Sequence, residues 1–292
     1  MNGLLVLDKP AGMTSHDVVD IVRRAVGERS VGHLGTLDPM ATGVLPLLLG
    51  NYTRLAQYFS TAEKQYEGSI RFGFATDTYD AEGTPASDPR PLTRSLEELR
   101  RLASRFQGEM EQTPPVFSAK KINGVPAHKL ARAGKPVAVK PALICIHHFE
   151  LLSLEGETAR FTIHVSAGGY VRSVAHDLGT LAGCGAHLAT LRRTQAGPFT
   201  LACAITVDEL KLLSGLPGQI EQRLPHPRTL LPHMPSVTVD EQTGGRIQRG
   251  MQVNLPDFST ATFVKAFSSP RGLLAIMRRV AGTLMQPVTV LS

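Results

Sequence analysis

The sequence predicts an α+β fold, on three observations. Apolar residues alternate in several stretches, as in Tyr66, Ile70, Phe72 and Phe74 of 64–78 and Phe161, Ile163 and Val165 of 157–172, which is the period of half-buried strands. Two other stretches, 14–27 and 95–108, carry helical stripes between start and stop signals. No internal repeat or low-complexity tract divides the 292 residues, a length that makes one large domain or a large domain with a small appendage.

The elements follow in order. Residues 3–10 form a short buried strand closed by a turn at "KPAG". Residues 14–27 form a helix. Ser15 is its N-cap, Asp17 lies near its positive end, and Val18, Ile21, Val22 and Val26 make its stripe. Arg23 and Arg24 sit toward its negative end and Gly27 stops it. "GHLGTLDPMATG" (32–43) is a turn-rich loop around one acid, Asp38. "GVLPLLLG" (43–50) is a buried strand whose Pro46 demands an edge or a bulge. A short helix (52–61), a strand (64–78) and a polar loop (76–85) follow. The helix at 95–108 opens on a capping box of Ser95 and Glu98, presents Leu96, Leu99, Leu102 and Phe106, and ends at Gly108.

Residues 113–137 are rich in Pro, Gly and basic side chains and read as a surface insertion. Strands at 142–154 and 157–172, a helix at 173–183, a turn into an edge strand at 193–201 and a helix at 206–213 complete a first domain over 1–213. A Pro-rich stretch, 214–236, marks a linker. Residues 237–292 form a small, mostly β module with one weak helix, too short to hold a core comfortably alone, so it packs on the main domain.

Composition narrows the function classes. Lys and Arg number 31 against 25 Asp and Glu, a net charge of +6, which permits a polyanionic partner. The absence of Trp and the 5% aromatic content argue against a platform of many stacking aromatics. Cys145, Cys184 and Cys203 are far apart and form no CxxC, which argues against a disulfide framework and a zinc site and suits a reducing cytoplasm. No apolar run is long enough for a signal peptide or a membrane span. P-loop, GxSxG, HExxH and GxGxxG motifs are absent. His147 and His148, adjacent on a predicted strand, face opposite sides, which is poor for sharing a metal.

Five features can carry chemistry, and each has a plainer reading beside it. Asp38 before Pro39 can open a turn and cap backbone amides, or serve as a fixed carboxylate. "GGYVR" closes a predicted strand and puts Tyr170 and Arg172 on one face. That is an edge strand with a snorkelling arginine, or an arginine that holds a buried Asp ionised, as a nucleophilic Asp requires. Lys64 and Tyr66 share a face of another strand; they are ordinary residues of an amphipathic strand, or the ring stacks on a base and the phenol moves a proton. His33 shares the Asp38 loop and is either structural or a wedge among stacked nucleotides. The basic insertion is an RNA-facing arm or a solvated loop.

Five stretches, "LDKPAGMTSHDVV", "VGHLGTLDPMATGVLPLLLG", "KQYEGSIRFGFATDTYDAEG", "TPPVFSAKKINGVPAHKLARAG" and "SAGGYVRSVAHDLG", with "LRRTQAGPFTL" after them, resemble the bacterial tRNA pseudouridine-55 synthase family. They occur in the family's order over about residues 3–210, and "GTLDPMATG" with "GGYVRSVAHDLG" is a highly specific combination. The final residues look like a reduced form of the family's C-terminal PUA-type RNA-binding domain. The resemblance implies a pseudouridine synthase fold, a mixed, mostly antiparallel sheet with flanking helices. It implies isomerisation of one tRNA T-loop uridine to pseudouridine without cofactor or metal, with tRNA as the partner. Nothing in the sequence demands more than a monomer, and the cysteine usage places the protein in the cytoplasm.

Carried over by motif, Asp38 is the catalytic aspartate, Tyr66 stacks on the flipped base and accepts the C5 proton, and Arg172 pairs with Asp38. His33 helps disrupt the T-loop stack. Lys64, Tyr170 and Lys9 belong to the substrate-binding set. The insertion, with Lys120, Lys121, Lys129 and Arg132, is the arm that closes on the RNA. A tRNA-gripping folding factor remains the alternative, and Asp38 with its supporting set favours the enzyme. A hydrolase using Asp38 lacks a recognisable water-activating base.

Overall fold

The computed structural model describes residues 1–118 and 140–291, with the backbone of two short strands, Lys121–Ile122 and Val125–Pro126, between them. The side chains of Lys120, Lys121, Lys129 and Arg132 lie outside the described residues.

A ten-stranded mixed sheet forms the body. Its strands are β1 (Gly3–Lys9), β2 (Val31–His33), β3 (Thr42–Leu49), β4 (Lys64–Phe72), β5 (Gly108–Gln112), β8 (Ala142–Glu155), β9 (Thr158–Val165), β10 (Ala186–Ala196), β11 (Phe199–Thr200) and β12 (Ile205–Thr206), with the insertion strands Lys121–Ile122 and Val125–Pro126 as β6 and β7. The order is β12-β1-β3-β10-β4-β9-β8-β5, with β11 on β10 and β2 on β3. Only β1 with β12 and β3 with β10 pair in parallel. Helices α1 (Ser15–Val26), α2 (Leu96–Ala103), α3 (Val171–Ala182) and α4 (Val207–Leu213) contribute to the main core along with the sheet's apolar side chains.

Local chemistry sets the ends of these elements. Thr14, not Ser15, caps α1: its Oγ1 accepts from the Asp17 amide at 3.1 Å while Asp17 accepts from the Thr14 amide at 2.8 Å. Ser15 is turned inward to bind the Leu37 backbone, a job that removes it from the cap. The Ser95–Glu98 box on α2 forms as the sequence predicts, but α-helix stops at Ala103 and a 3₁₀ turn carries the chain to Phe106. Residues 50–59 are 3₁₀ helix. The strand expected at 64–78 ends at Phe72, where Gly73 takes φ +110°. Pro46 sits inside the sheet. β2 pairs opposite Leu47–Leu49 and β10 opposite Thr42–Gly43, so the missing N–H of Pro46 falls in the gap between those two pairings.

Two expectations change more. The strand expected to run to Arg172 ends at Val165, and α3 begins at Val171. Tyr170 is therefore the residue before a helix and Arg172 lies in its first turn, rather than both facing one side of a strand. β8 carries a bulge between Ile146 and His148, which leaves His147 and His148 both exposed instead of on opposite faces.

The C-terminal residues form a five-stranded sheet, β13 (Ser236–Thr238), β14 (Val253–Asn254), β15 (Phe263–Phe267), β16 (Leu273–Ala281) and β17 (Leu284–Val290), in the order β13-β15-β16-β17-β14. It shares a core with the main sheet: Phe267, Leu273, Ile276 and Leu291 pack in one cluster with Leu4, Val6, Leu48 and Tyr52. Leu230, Leu231 and Met234 of the Pro-rich stretch belong to the same cluster. The buried Lys265 ammonium donates to the carbonyls of Arg228, Leu230 and Leu231, which fastens that stretch to β15.

Candidate active site

The loop between β2 and β3 is held from three directions. The Ser15 hydroxyl accepts from the Leu37 amide at 2.8 Å and donates to the Leu37 carbonyl at 3.1 Å. Lys9 donates to the carbonyls of Pro10 (2.9 Å), Met13 (2.6 Å) and Pro39 (3.2 Å). From β10, Arg193 donates to Gly35 O at 3.0 Å and to Val44 O at 2.7 Å. The loop closes in a turn in which the Ala41 amide donates to Asp38 O at 3.0 Å. The Asp38 carboxylate itself caps nothing; its hydrogen-bonding partner among the described residues is Arg172.

Arg172 approaches from the first turn of α3. Its Nη2 donates to Asp38 Oδ1 at 3.1 Å, and Nε lies 2.9 Å from Oδ2 but off the hydrogen-bonding direction, so the second contact is ionic. The other edge of the guanidinium meets Asp80 Oδ2 at 3.3 Å, Thr78 O at 3.0 Å and Phe117 O at 2.9 Å. One buried cation thus sits between two carboxylates. Burial pushes the Asp38 carboxyl up from its ordinary value, and Arg172 opposes that. The side chain nonetheless keeps 32% of its surface open, and that opening faces a pocket.

The pocket has a volume of about 220 Å³. Gly35 to Asp38 form one wall and Gly168 to Arg172 the opposite one; Lys64 and Tyr66 of β4 and Leu191 and Arg193 of β10 complete it. Lys64 and Tyr66 share a strand face, as their spacing requires. Burial and the nearby Arg193 lower the Lys64 pKa, and its ammonium donates to Ala62 O at 2.5 Å. Tyr170 is fixed through its backbone, where Gln112 both accepts from its amide (2.8 Å) and donates to its carbonyl (3.0 Å). Burial raises the Tyr170 phenol, and a hydrogen bond with Ser118 opposes the shift.

The structure brings Asp38, Tyr66, Arg172, Lys64 and Tyr170 to one pocket. His33 stands apart at the end of β2, and burial, then Arg193, lower its pKa. Lys9 is a correction. The sequence reading places it at the substrate, but its side chain is fully buried and its three donors are spent on carbonyls, so it anchors the loop. Asp80 and Arg193 were not anticipated. Asp80 looks like any turn acid in "TDTYDAEG", and nothing in its spacing ties it to Arg172. Arg193 sits in "LRRTQAG", where alternation breaks down.

The pocket thus has an ion-paired carboxylate, two tyrosines and basic side chains on its walls. Comparison with known proteins gives it a class. The chain superimposes with a TM-score of 0.70 and 25% identity, over 99% of its length and 85% of the other, on a chain in the crystal structure of a Cbf5-Nop10-Gar1 complex. The fold is that of the pseudouridine synthases. A family model described as TruB family pseudouridylate synthase (N terminal domain) matches residues 23–171, and one described as tRNA pseudouridylate synthase B C-terminal domain matches residues 172–222. The tRNA pseudouridine synthase B of Solibacter usitatus is 44% identical across 100% of both chains. That of Pseudomonas paraeruginosa is 42% identical over 88% of this chain and 85% of its own. The chain belongs to the TruB family of pseudouridylate synthases.

Proposed function

We propose that this enzyme converts uridine-55 in the T-loop of tRNA to pseudouridine, with Asp38 as nucleophile. The observation that carries the reading is the Asp38 carboxylate, paired with Arg172, opening into the same slot as Tyr66. Pure RNA binding has no use for a carboxylate in that place, whereas an anionic nucleophile needs an oriented counter-cation and few competing waters.

The target base is stacked in folded tRNA, so it must flip out at a cost of a few kcal/mol. Stacking on Tyr66 offsets part of that cost. Asp38 attacks the sugar, the C1′–N1 bond breaks, and the uracil turns within the slot. C5 then bonds to C1′ as the carboxylate leaves. Tyr66 takes the C5 proton and gives up its phenolic proton while N1 gains one, so protons balance, the product is an isomer and no co-reactant is consumed. The basic residues of the insertion meet RNA phosphates, which position the substrate without reading its sequence.

The direct test is to incubate the protein with an unmodified tRNA transcript and map pseudouridine by chemical adduct and primer extension. A single stop at uridine-55, absent from a transcript carrying cytidine there, is expected. Modification at another uridine alone would overturn the assignment.

A further inference from the structure

Outside the pocket, the residue before β4, the middle of β8 and the end of β9 bring together the side chains of Glu63, His147 and His164. His147 Nε2 lies 3.1 Å from Glu63 Oε1, and His164 Nε2 lies 2.7 Å from Glu63 Oε2. One ligand atom from each residue can be chosen so that all three lie within 4.8 Å of one another. The two imidazoles are 4.7 Å apart between centroids. Among the described residues no other group of His, Cys, Asp and Glu converges this way.

We propose that this cluster is a surface site for a divalent transition-metal ion of the zinc class. Two imidazole nitrogens and a carboxylate oxygen are a borderline-soft donor set suited to zinc and its neighbours rather than to magnesium or calcium. Ligand atoms about 2.1 Å from a tetrahedral ion stand about 3.4 Å from one another. The His–Glu separations of 2.7 and 3.1 Å need only a small opening to reach that. All three side chains are exposed or half-exposed, so the fourth position is open to water.

Two details show how the set is assembled. His147 lies in the β8 bulge beside the His148–His164 pair, and both its ring and that of His164 reach Glu63. Its Nδ1 then meets Cys145 Sγ at 3.6 Å, which fixes the ring and leaves Nε2 for the metal. Glu63 is held by its own carbonyl, which accepts from the Gly197 amide at 2.8 Å.

The position gives the site a consequence. Glu63 immediately precedes Lys64, the first pocket residue of β4, and His164 lies four residues before Gly168 of the opposite wall. A metal here ties β8, the end of β9 and the start of β4 together beside two of the segments that line the pocket.

The test uses the untagged full chain, with zinc and cobalt ions added under reducing conditions and binding followed by calorimetry, cobalt ligand-field absorption and thermal melting. One ion per chain is expected at micromolar concentration, with a tetrahedral-type cobalt spectrum and a raised Tm. His164→Ala and Glu63→Gln should each weaken binding about tenfold or more and remove the rise in Tm. Cys145→Ser should change affinity only a few-fold, since the thiol meets the nitrogen that does not ligate. Because the three ligands are on the surface, the variants keep the wild-type metal-free Tm. The proposal is overturned if neither ion binds at micromolar concentration, or if His164→Ala binds as wild type does, which would place the ion on the free cysteines.

Discussion

Asp38 and Pro39 look like turn chemistry, and the turn is there, yet the carboxylate takes no part in it. The backbone closes the turn through the Asp38 carbonyl, and the side chain is left for Arg172. This division of labour makes a pH prediction at the residue scale. In the proposed reaction the ionised carboxylate is the active form, so activity falls as pH drops through the Asp38 pKa. Burial raises that pKa and Arg172 lowers it. The acid limb of kcat/KM therefore lies above about 4, the range of an ordinary aspartate. In Arg172→Gln it moves to still higher pH, because the opposing charge is gone while burial and the neighbouring Asp80 remain. A limb at the ordinary carboxylate value in both proteins would contradict this. Asp38 and the Lys64–Tyr66 pair were legible because loop chemistry and strand period are local signals. Asp80 was not, since its meaning lies in a guanidinium 92 residues away in the chain, Arg172, to which no local pattern points.

At the scale of elements, β10 supplies Leu191 and Arg193 to the pocket and was poorly legible in the sequence. Its pairing with β4 slips between Leu188 and Thr190 and again between Arg193 and Gln195. Two bulges break the alternation that marks a strand, so the sequence shows only its final turn. The same bulged strand delivers Arg193 to the Asp38 loop. α3 was legible as a helix but not in its start, because Tyr170 supplies no side-chain cap and the preceding glycines resemble a strand end. Gly43 shows how close β3 and β10 run: a Cβ there would stand 2.2 Å from the Arg193 carbonyl oxygen, at a φ of +102°. Gly43→Ala is expected to destabilise the protein by about 2–4 kcal/mol through displacement of β10, on the scale of overpacking plus backbone strain. It should lower Tm and isomerisation together. A variant with wild-type Tm would show that the strands part without cost.

At the scale of the whole molecule, the chain is one body with two cores joined by a shared apolar seam. Leu4, Val6, Leu48 and Tyr52 on the main sheet meet Phe267, Leu273, Ile276 and Leu291 from the C-terminal strands. The sequence made that packing necessary on size alone, but it suggested a spacer where Leu230 and Leu231 are 2% exposed. Proline content marks irregular backbone, and irregular backbone can still be buried. Ending the chain at residue 236 is therefore expected to expose the seam and produce aggregation, read by light scattering, rather than a soluble enzyme with weakened tRNA affinity. A soluble truncated chain with wild-type Tm would contradict the shared core. For a molecule with net charge +6 acting on a polyanion, binding and chemistry have to be measured apart at fixed salt.

The measurement that reaches the central claim most directly is tritium release from C5-labelled uridine in an unmodified tRNA transcript, with wild type and Asp38→Asn compared at equal tRNA occupancy. Stoichiometric release by the wild type, and none above background by a variant that still binds tRNA, is the predicted result. Release by Asp38→Asn at the wild-type rate would remove the carboxylate from the chemistry and the account with it.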